Sequence, residues 1–175
     1  MKILCFGDSN TYGFDPRSYF GGRYDAANRW PNLLTGYTII NAGENGREIP
    51  RNPHFLPEAD WLIVMLGTND LLQGASAAEA AARMERFLAP LLPRVLLVSP
   101  PPMKRGAWVP SDVLVEESIR LAAEYRTIAE KLGIPFIDTR DWNIGLCFDG
   151  VHFTEAGHHI FAANLQKVLD SHLTS

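Results

Sequence analysis

The chain has 175 residues, of which 46% are hydrophobic, with a formal net charge of −4 and a pI near 5.7. This length and apolar content predict one globular domain over residues 1–175, large enough to bury a sizeable core. The acidic balance gives no electrostatic reason to expect nucleic acid or an anionic membrane as a partner, so a small molecule is expected instead. No apolar run approaches the roughly 20 residues that span a bilayer, and no signal-peptide pattern opens the chain, so a cytoplasmic location is expected.

Short apolar runs rich in branched residues recur along the chain and predict strands buried on both faces, at residues 3–6, 38–40, 61–66, 95–98 and 134–137. After the third run, Ser76 and Glu79 form a capping-box signature that predicts a helix ending before Pro93. Helical periodicity predicts a second helix from about 111 to 132, with Gly133 as its stop. Thr154 is expected to cap a third helix that continues to about residue 169.

The alternation of strands and helices predicts an open α/β sandwich around a five-stranded parallel sheet. Two irregular segments, residues 13–32 and 99–111, follow strands and should lie at the carboxyl edge of that sheet. Open α/β folds bind ligands at this edge, so both segments are expected to wall a pocket.

Polar residues follow the first three predicted strands at the point where each one ends, at residues 7–9, 41–46 and 67–70. A further polar group, residues 149–152, precedes the last predicted helix. If the strand order is 2-1-3-4-5, strand one lies between strands two and three, and the crevice forms beside it. That arrangement would place Ser9 between Gly46 and Asn69.

Three residues are expected to form a nucleophile and its activating pair: Ser9, His152 and Asp149. A serine hydroxyl attacks poorly until a base takes its proton, and a histidine oriented by a carboxylate is the usual base. The three-residue spacing lets Asp149 accept a hydrogen bond from one ring nitrogen while the other nitrogen faces Ser9.

Attack on an ester carbonyl places negative charge on oxygen, and fixed hydrogen-bond donors must stabilise it. The predicted donors are the backbone N–H groups of Ser9 and Gly46 and the side-chain amide of Asn69. Glycine suits such a position because the absence of Cβ lets the backbone approach a ligand closely.

Four short stretches of the chain together resemble the four blocks of the SGNH (GDSL-type) hydrolase superfamily: Gly7-Asp8-Ser9, Gly46, Gly67-Thr68-Asn69-Asp70, and the pair Asp149 and His152. The blocks occur in the family's order and cover nearly the whole chain. The stretches "GDSNTYGFDP", "RYDAANRWP", "SPPPM" and "DGVHFTEAGH" are similar to its intracellular arylesterase and acyltransferase branch. The fourth residue of the first block is Asn10 rather than leucine, at a position that varies in the family.

The resemblance implies a flavodoxin-like three-layer α/β/α fold and serine esterase chemistry without metal or other cofactor. By position, Ser9 matches the nucleophile, Asp149 and His152 match the acid and base, and Gly46 and Asn69 match oxyanion donors. Homo-oligomers, common in this branch, are also implied. The expected activity is hydrolysis of short-chain acyl esters, especially acetyl esters, through an acyl-serine intermediate, with transfer to alcohols as a further activity.

Other interpretations stay open at this level. The enzyme alternatives are a carbohydrate deacetylase and a lysophospholipase-type acylhydrolase; a flavodoxin-like small-molecule binding module is the non-enzyme alternative. Tyr12, Phe14, Pro101 and Trp142 are the candidate substrate-binding residues, although aromatic residues in such loops serve equally well in core packing. Ser76 is interpreted as a helix cap. A metal site is not expected at His152, Glu155, His158 and His159, because no other Cys, His or carboxylate cluster in the sequence completes the ligand set.

Overall fold

The computed structural model describes residues 1–18, 20–51, 56–92 and 94–173. The strands of this part are β1 (Lys2–Gly7), β2 (Phe14–Asp15), β3 (Gly22–Arg23), β4 (Thr38–Gly43), β5 (Trp61–Met65), β6 (Val95–Val98) and β7 (Phe136–Ile137). The helices are α1 (Ser9–Tyr12), α2 (Trp30–Leu33), α3 (Thr68–Leu72), α4 (Ala77–Leu88), α5 (Asp112–Leu132) and α6 (Glu155–Leu173). Single 3₁₀ turns occur at Ala26–Asn28 and Ala89–Leu91.

Five strands form a parallel sheet in the order β4-β1-β5-β6-β7. Numbered by the five predicted runs, this is the order 2-1-3-4-5, so the predicted topology is confirmed. Gly7, at the end of β1, is level with Gly43 on β4 and Met65 on β5. The residues after these three strands therefore emerge side by side at one edge of the sheet.

The sheet separates two apolar layers because successive side chains on a strand point to opposite faces. Leu4 and Phe6 pack with α4 and α5 on one face, whereas Ile3 and Cys5 pack with α2 and α6 on the other. The three-layer α/β/α sandwich is thus confirmed. None of the described helices is both long and apolar enough to cross a membrane.

The helix ends follow their predicted capping residues. Ser76 accepts from the Glu79 N–H and Glu79 in turn accepts from the Ser76 N–H, which completes the capping box of α4. Gly133 ends α5 in the left-handed conformation, at φ +66°. Thr154 accepts from the Gly157 N–H before α6, which continues past residue 169 to Leu173. Pro93, the predicted boundary of the α4 segment, lies outside the described residues.

Some strand boundaries differ from the predicted ones. The fifth strand comprises only Phe136 and Ile137, whereas residues 134–137 were expected to be extended. Pro135 lacks the N–H that a longer ladder would use, although its carbonyl still accepts from the Leu97 N–H. Residues 13–32, expected to be irregular, contain the short antiparallel pair β2 and β3 and the first three residues of helix α2.

Candidate active site

Ser9 is the first residue of α1, one residue beyond the Asp8 that caps this helix. The Asp8 carboxylate accepts from the Asn10 N–H at 2.9 Å, so the chain turns directly from strand into helix. A Cβ on Gly7 would lie within 2.0 Å of the Thr11 hydroxyl and 2.9 Å of the Met65 carbonyl. Only glycine permits this close turn, which brings the Ser9 hydroxyl to the carboxyl edge of the sheet.

The loop before α6 presents Asp149 and His152 as one hydrogen-bonded unit. One carboxylate oxygen of Asp149 accepts from the N–H groups of Val151 and His152, both at 2.9 Å. The other oxygen lies 2.7 Å from His152 Nδ1. Because a carboxylate can only accept, Nδ1 carries the proton, and Nε2 of the neutral ring is left as an acceptor.

His152 Nε2 lies 2.9 Å from the Ser9 hydroxyl, across 143 positions of sequence. The structure therefore joins the three predicted residues in one chain of hydrogen bonds, Ser9 to His152 to Asp149. His152 and Asp149 are buried, at 1% and 0% exposure, and Ser9 is 6% exposed. Exclusion of water strengthens the electrostatic interactions within this chain.

Two buried carboxyl groups near Ser9 have opposite pKa shifts. Burial tends to raise the pKa of Asp149, but hydrogen bonds from the His152 ring and from two backbone N–H groups outweigh it and hold that pKa below its usual range. Asp149 is thus an anion facing His152. For Asp8, burial dominates over its hydrogen bond from Asn10 and the charge of Arg47, and raises the pKa to about 6.

The predicted oxyanion donors belong to three segments that are bonded to one another around Arg47. The turn at residues 44–47 packs on the end of β1, where the Gly7 carbonyl accepts from the Glu44 N–H at 3.1 Å and the Arg47 guanidinium at 2.9 Å. The Arg47 carbonyl accepts from the Asn69 side-chain amide at 3.0 Å. This bond directs the amide nitrogen of Asn69 toward Arg47 and leaves its second hydrogen for another acceptor.

Gly46 occupies the turn next to Arg47 with φ +74°. A Cβ there would meet no protein atom within 4 Å, so the left-handed backbone conformation, rather than crowding, accounts for the glycine. Within the described part of the chain, the backbone N–H groups of Ser9 and Gly46 donate to no protein acceptor. Both remain available to a ligand oxygen.

The four candidate substrate-binding residues lie in different surroundings. Phe14 lies against His152, with ring centroids 4.7 Å apart. The Tyr12 ring is covered by the Arg23 guanidinium at 4.1 Å, and Pro101 is buried. The Trp142 ring packs edge-on against Phe161 in the core beneath α6, at 5.2 Å.

The indole of Trp108 also contacts His152, although sequence reasoning did not select this residue for substrate binding. Its ring centroid lies 5.0 Å from that of His152, in an edge-on arrangement, and the side chain is 51% exposed. The N–H of Trp108 donates to the Asp149 carbonyl, which ties the irregular segment 99–111 to the Asp149 loop. The sequence signal for this contact was the position of Trp108 in segment 99–111, which was predicted to wall the pocket.

His158 and His159, on α6, form no cluster with His152. His158 is fully buried, where its Nδ1 accepts from the Trp30 N–H, and burial lowers its pKa to about 3. His159 lies at the surface and hydrogen-bonds with Asn28. The described residues contain no group of three or more His, Cys, Asp or Glu side chains arranged to hold a metal ion.

The fold and the site together define an α/β sandwich with a hydrogen-bonded serine, histidine and aspartate at the carboxyl edge, a constellation that recurs on unrelated hydrolase folds. The chain belongs to the GDSL-like lipase/acylhydrolase family, whose family model matches residues 5–160. The resemblance inferred from the four sequence blocks is therefore confirmed.

Solved structures of similar fold include esterases. A carbohydrate acetylesterase family member from Sinorhizobium meliloti is 27% identical, with a TM-score of 0.83 and full coverage of both chains. The native aryl esterase of M. smegmatis is 26% identical, with a TM-score of 0.79 over 97% of this chain and 98% of that one. No curated protein matches at the sequence level. Family and neighbours together support a hydrolase of the esterase kind.

Proposed function

We propose that the protein is a serine carboxylic ester hydrolase that cleaves short-chain acyl esters, with acetyl esters as its main substrates. The observation that carries this proposal is the hydrogen-bonded chain from the Ser9 hydroxyl through His152 to Asp149. A serine in that arrangement is activated as a nucleophile because the histidine accepts its proton and the carboxylate stabilises the resulting imidazolium.

In the first half of the reaction, His152 Nε2 takes the hydroxyl proton as Ser9 Oγ attacks the ester carbonyl carbon. The carbonyl oxygen becomes an oxyanion and accepts hydrogen bonds from the backbone N–H groups of Ser9 and Gly46 and from the Asn69 amide. The C–O bond to the alcohol then breaks, His152 returns the proton to the departing alcohol, and an acyl group remains on Ser9.

In the second half, His152 deprotonates a water molecule that attacks the acyl carbon. The bond to Ser9 breaks, the proton returns to Ser9, and the carboxylic acid leaves. An alcohol that occupies the place of this water would yield a new ester, which is acyl transfer. Phe14 and Trp108 both contact the His152 ring, and their apolar surfaces favour such an alcohol beside it.

Two observations support a small acyl group. The chain has 175 residues and no apolar insertion of the size of a lipase lid. Likeness to a carbohydrate acetylesterase and an aryl esterase supports acetyl transfer from an alcohol of moderate size. Deacetylation of acetylated sugars is the second candidate function, favoured by the first of these two neighbours.

A fluorophosphonate probe tests the nucleophile, since it labels activated serines. We expect labelling of the protein at Ser9 and its loss in Ser9→Ala. Ser76→Ala is the matched control because Ser76 caps α4 and takes part only in the capping box. Labelling that persists in Ser9→Ala would contradict the assignment of Ser9 as the nucleophile. A wild-type protein that the probe does not label would contradict the proposal and favour a binding module.

A chain-length series of p-nitrophenyl esters, assayed beside acetylated sugars, tests the substrate class. We expect kcat/KM to be highest for acetate and to fall as the acyl chain lengthens. A maximum at long acyl chains would contradict the short-acyl assignment and favour a lysophospholipase-type acylhydrolase. Higher kcat/KM on acetylated sugars than on aryl acetates would favour the second candidate.

A further inference from the structure

Asn10 follows Ser9 in α1, and its buried side chain reaches the loop that carries His152. The amide nitrogen donates to the Val151 carbonyl at 3.1 Å, and the amide oxygen accepts from the Phe153 N–H at 2.9 Å. The side chain is 4% exposed, and both ends of its amide are hydrogen-bonded. The two backbone groups that it holds lie on either side of His152 in sequence.

The backbone of His152 itself is held from the opposite direction. Its N–H donates to the Asp149 carboxylate, and its carbonyl accepts from the Cys147 N–H at 2.7 Å. The Asn10 amide bonds to this segment as the peptide of a neighbouring strand would, because it accepts from the N–H after His152 and donates to the carbonyl before it. Asparagine provides both the donor and the acceptor that this position requires, whereas leucine would provide neither.

We propose that Asn10 is the positioning residue that sets the distance between Ser9 and His152. This inference rests on the proposed function of these two residues. Ser9 and Asn10 are adjacent, and between them they make three hydrogen bonds to residues 151–153. The bonds between Asp149 and His152 lie within one loop, so they do not depend on Asn10.

Replacing Asn10 with leucine removes both hydrogen bonds and keeps the branched outline of the side chain. The His152 segment is then free to shift relative to Ser9, and a displacement of about 1 Å in a catalytic pair costs on the order of 100-fold in rate. We therefore expect kcat on p-nitrophenyl acetate to fall about 100-fold while KM changes less than about threefold, because Asn10 faces the loop and not the substrate.

A matched control separates positioning from a general loss of stability. Ser118 is 5% exposed, and its hydroxyl accepts from the Met103 N–H and donates to the Val115 carbonyl. Ser118→Ala therefore removes the same two kinds of buried hydrogen bond without touching Ser9 or His152. We expect it to lower the thermal unfolding temperature as Asn10→Leu does, while kcat stays within about threefold of the wild type.

A proton resonance reports on the part of the site that Asn10 should leave intact. The proton on His152 Nδ1, bonded to the Asp149 carboxylate at 2.7 Å, should resonate far downfield in the wild type. We expect this resonance to persist in Asn10→Leu and to disappear in Asp149→Asn. If Asn10→Leu does not fold, Asn10→Asp keeps the acceptor for Phe153, loses the donor to Val151, and should give a smaller fall in kcat.

The inference is overturned if folded Asn10→Leu keeps kcat within threefold of the wild type. It is also overturned if Ser118→Ala lowers kcat as much as Asn10→Leu does. Loss of the downfield resonance in Asn10→Leu would also overturn it, because Asn10 would then support the whole loop. The proposed function is tested separately by Ser9→Ala. Full turnover in that variant refutes the esterase mechanism, whereas loss of turnover there with an active Asn10→Leu refutes only the positioning role.

Discussion

Replacing Asp149 with asparagine removes a buried negative charge at nearly constant size. The amide oxygen can keep the two backbone N–H bonds that Asp149 accepts, so the loop should retain its shape. The amide nitrogen then faces His152 Nδ1 and donates to it. That bond places the ring proton on Nε2, and the nitrogen that should accept the Ser9 proton becomes a donor.

The magnitude follows from the burial of this pair. Asp149 and His152 are 0% and 1% exposed and lie 2.7 Å apart, so the imidazolium that forms during attack would lose a desolvated counter-charge. Removing one partner of a buried ion pair costs about 3–5 kcal/mol, which corresponds to roughly 10²–10⁴-fold in rate. KM should change by less than about threefold, since the fully buried Asp149 is not positioned to contact substrate.

Steady-state hydrolysis of p-nitrophenyl acetate near neutral pH measures this effect. Asp141→Asn is the matched control, because Asp141 is exposed and lies outside the hydrogen-bonded chain. We expect wild-type kcat in the control. A kcat for Asp149→Asn within tenfold of the wild type would refute the assigned role of Asp149, even if Ser9 remains essential.

Trp108→Ala should lower kcat/KM for p-nitrophenyl acetate about 2–10-fold more than for ethyl acetate, because the indole beside His152 can pack on an aromatic alcohol and such contacts contribute about 0.5–1.5 kcal/mol. The free energy of unfolding of Asp8→Asn should exceed that of the wild type by an amount that grows as pH rises from 4 to 7, up to about 3 kcal/mol. The reason is that the variant lacks a buried group with a pKa of about 6, and denaturant titrations at each pH measure the difference. Ser76→Ala should lower the free energy of unfolding by about 1 kcal/mol through loss of the α4 cap, without changing kcat.

The sign of the Asp8 effect follows from proton linkage. Burial raises the folded-state pKa, so between about pH 4 and 6 the folded protein binds more protons than the unfolded chain, whose Asp titrates near 3.9. Rising pH through this window therefore destabilises the wild type, and the full loss is present above it. A stability difference between wild type and Asp8→Asn that stays constant with pH would contradict the raised pKa.

Equal losses of kcat/KM on both esters in Trp108→Ala would contradict the role of Trp108. An unchanged free energy of unfolding in Ser76→Ala would contradict the role of the Ser76 cap.

The local parts of the candidate site could be predicted from the sequence. Ser9 follows a strand and precedes turn-forming residues, and the spacing of Asp149 and His152 suits a hydrogen bond within one loop. Parallel topology then brings the ends of β1, β4 and β5 to one edge, where the turn with Gly46 and the helix with Asn69 begin. Each of these inferences depends on short-range patterns or on a general rule of sheet geometry.

Contacts that cross long stretches of chain were not predictable in the same way. Trp142 and Trp108 are both tryptophans in loops after strands, yet one packs beneath α6 and the other lies against His152. Asn10 occupies a position that varies in the family, yet its amide is bonded to residues 141 and 143 positions away. Residue type does not show which of these partners a side chain will have.

The sequence by itself determined the α/β architecture and the capped helices, because apolar periodicity and turn chemistry act over a few residues. The family, and with it the flavodoxin-like strand order, was identified by the resemblance of the four sequence blocks. Only the tertiary structure decided which aromatic rings border His152, how Arg47 joins the segments that carry Gly46 and Asn69, and that Asn10 holds the His152 loop. Those contacts depend on the path of each loop over the sheet edge, which follows from the packing of the whole chain.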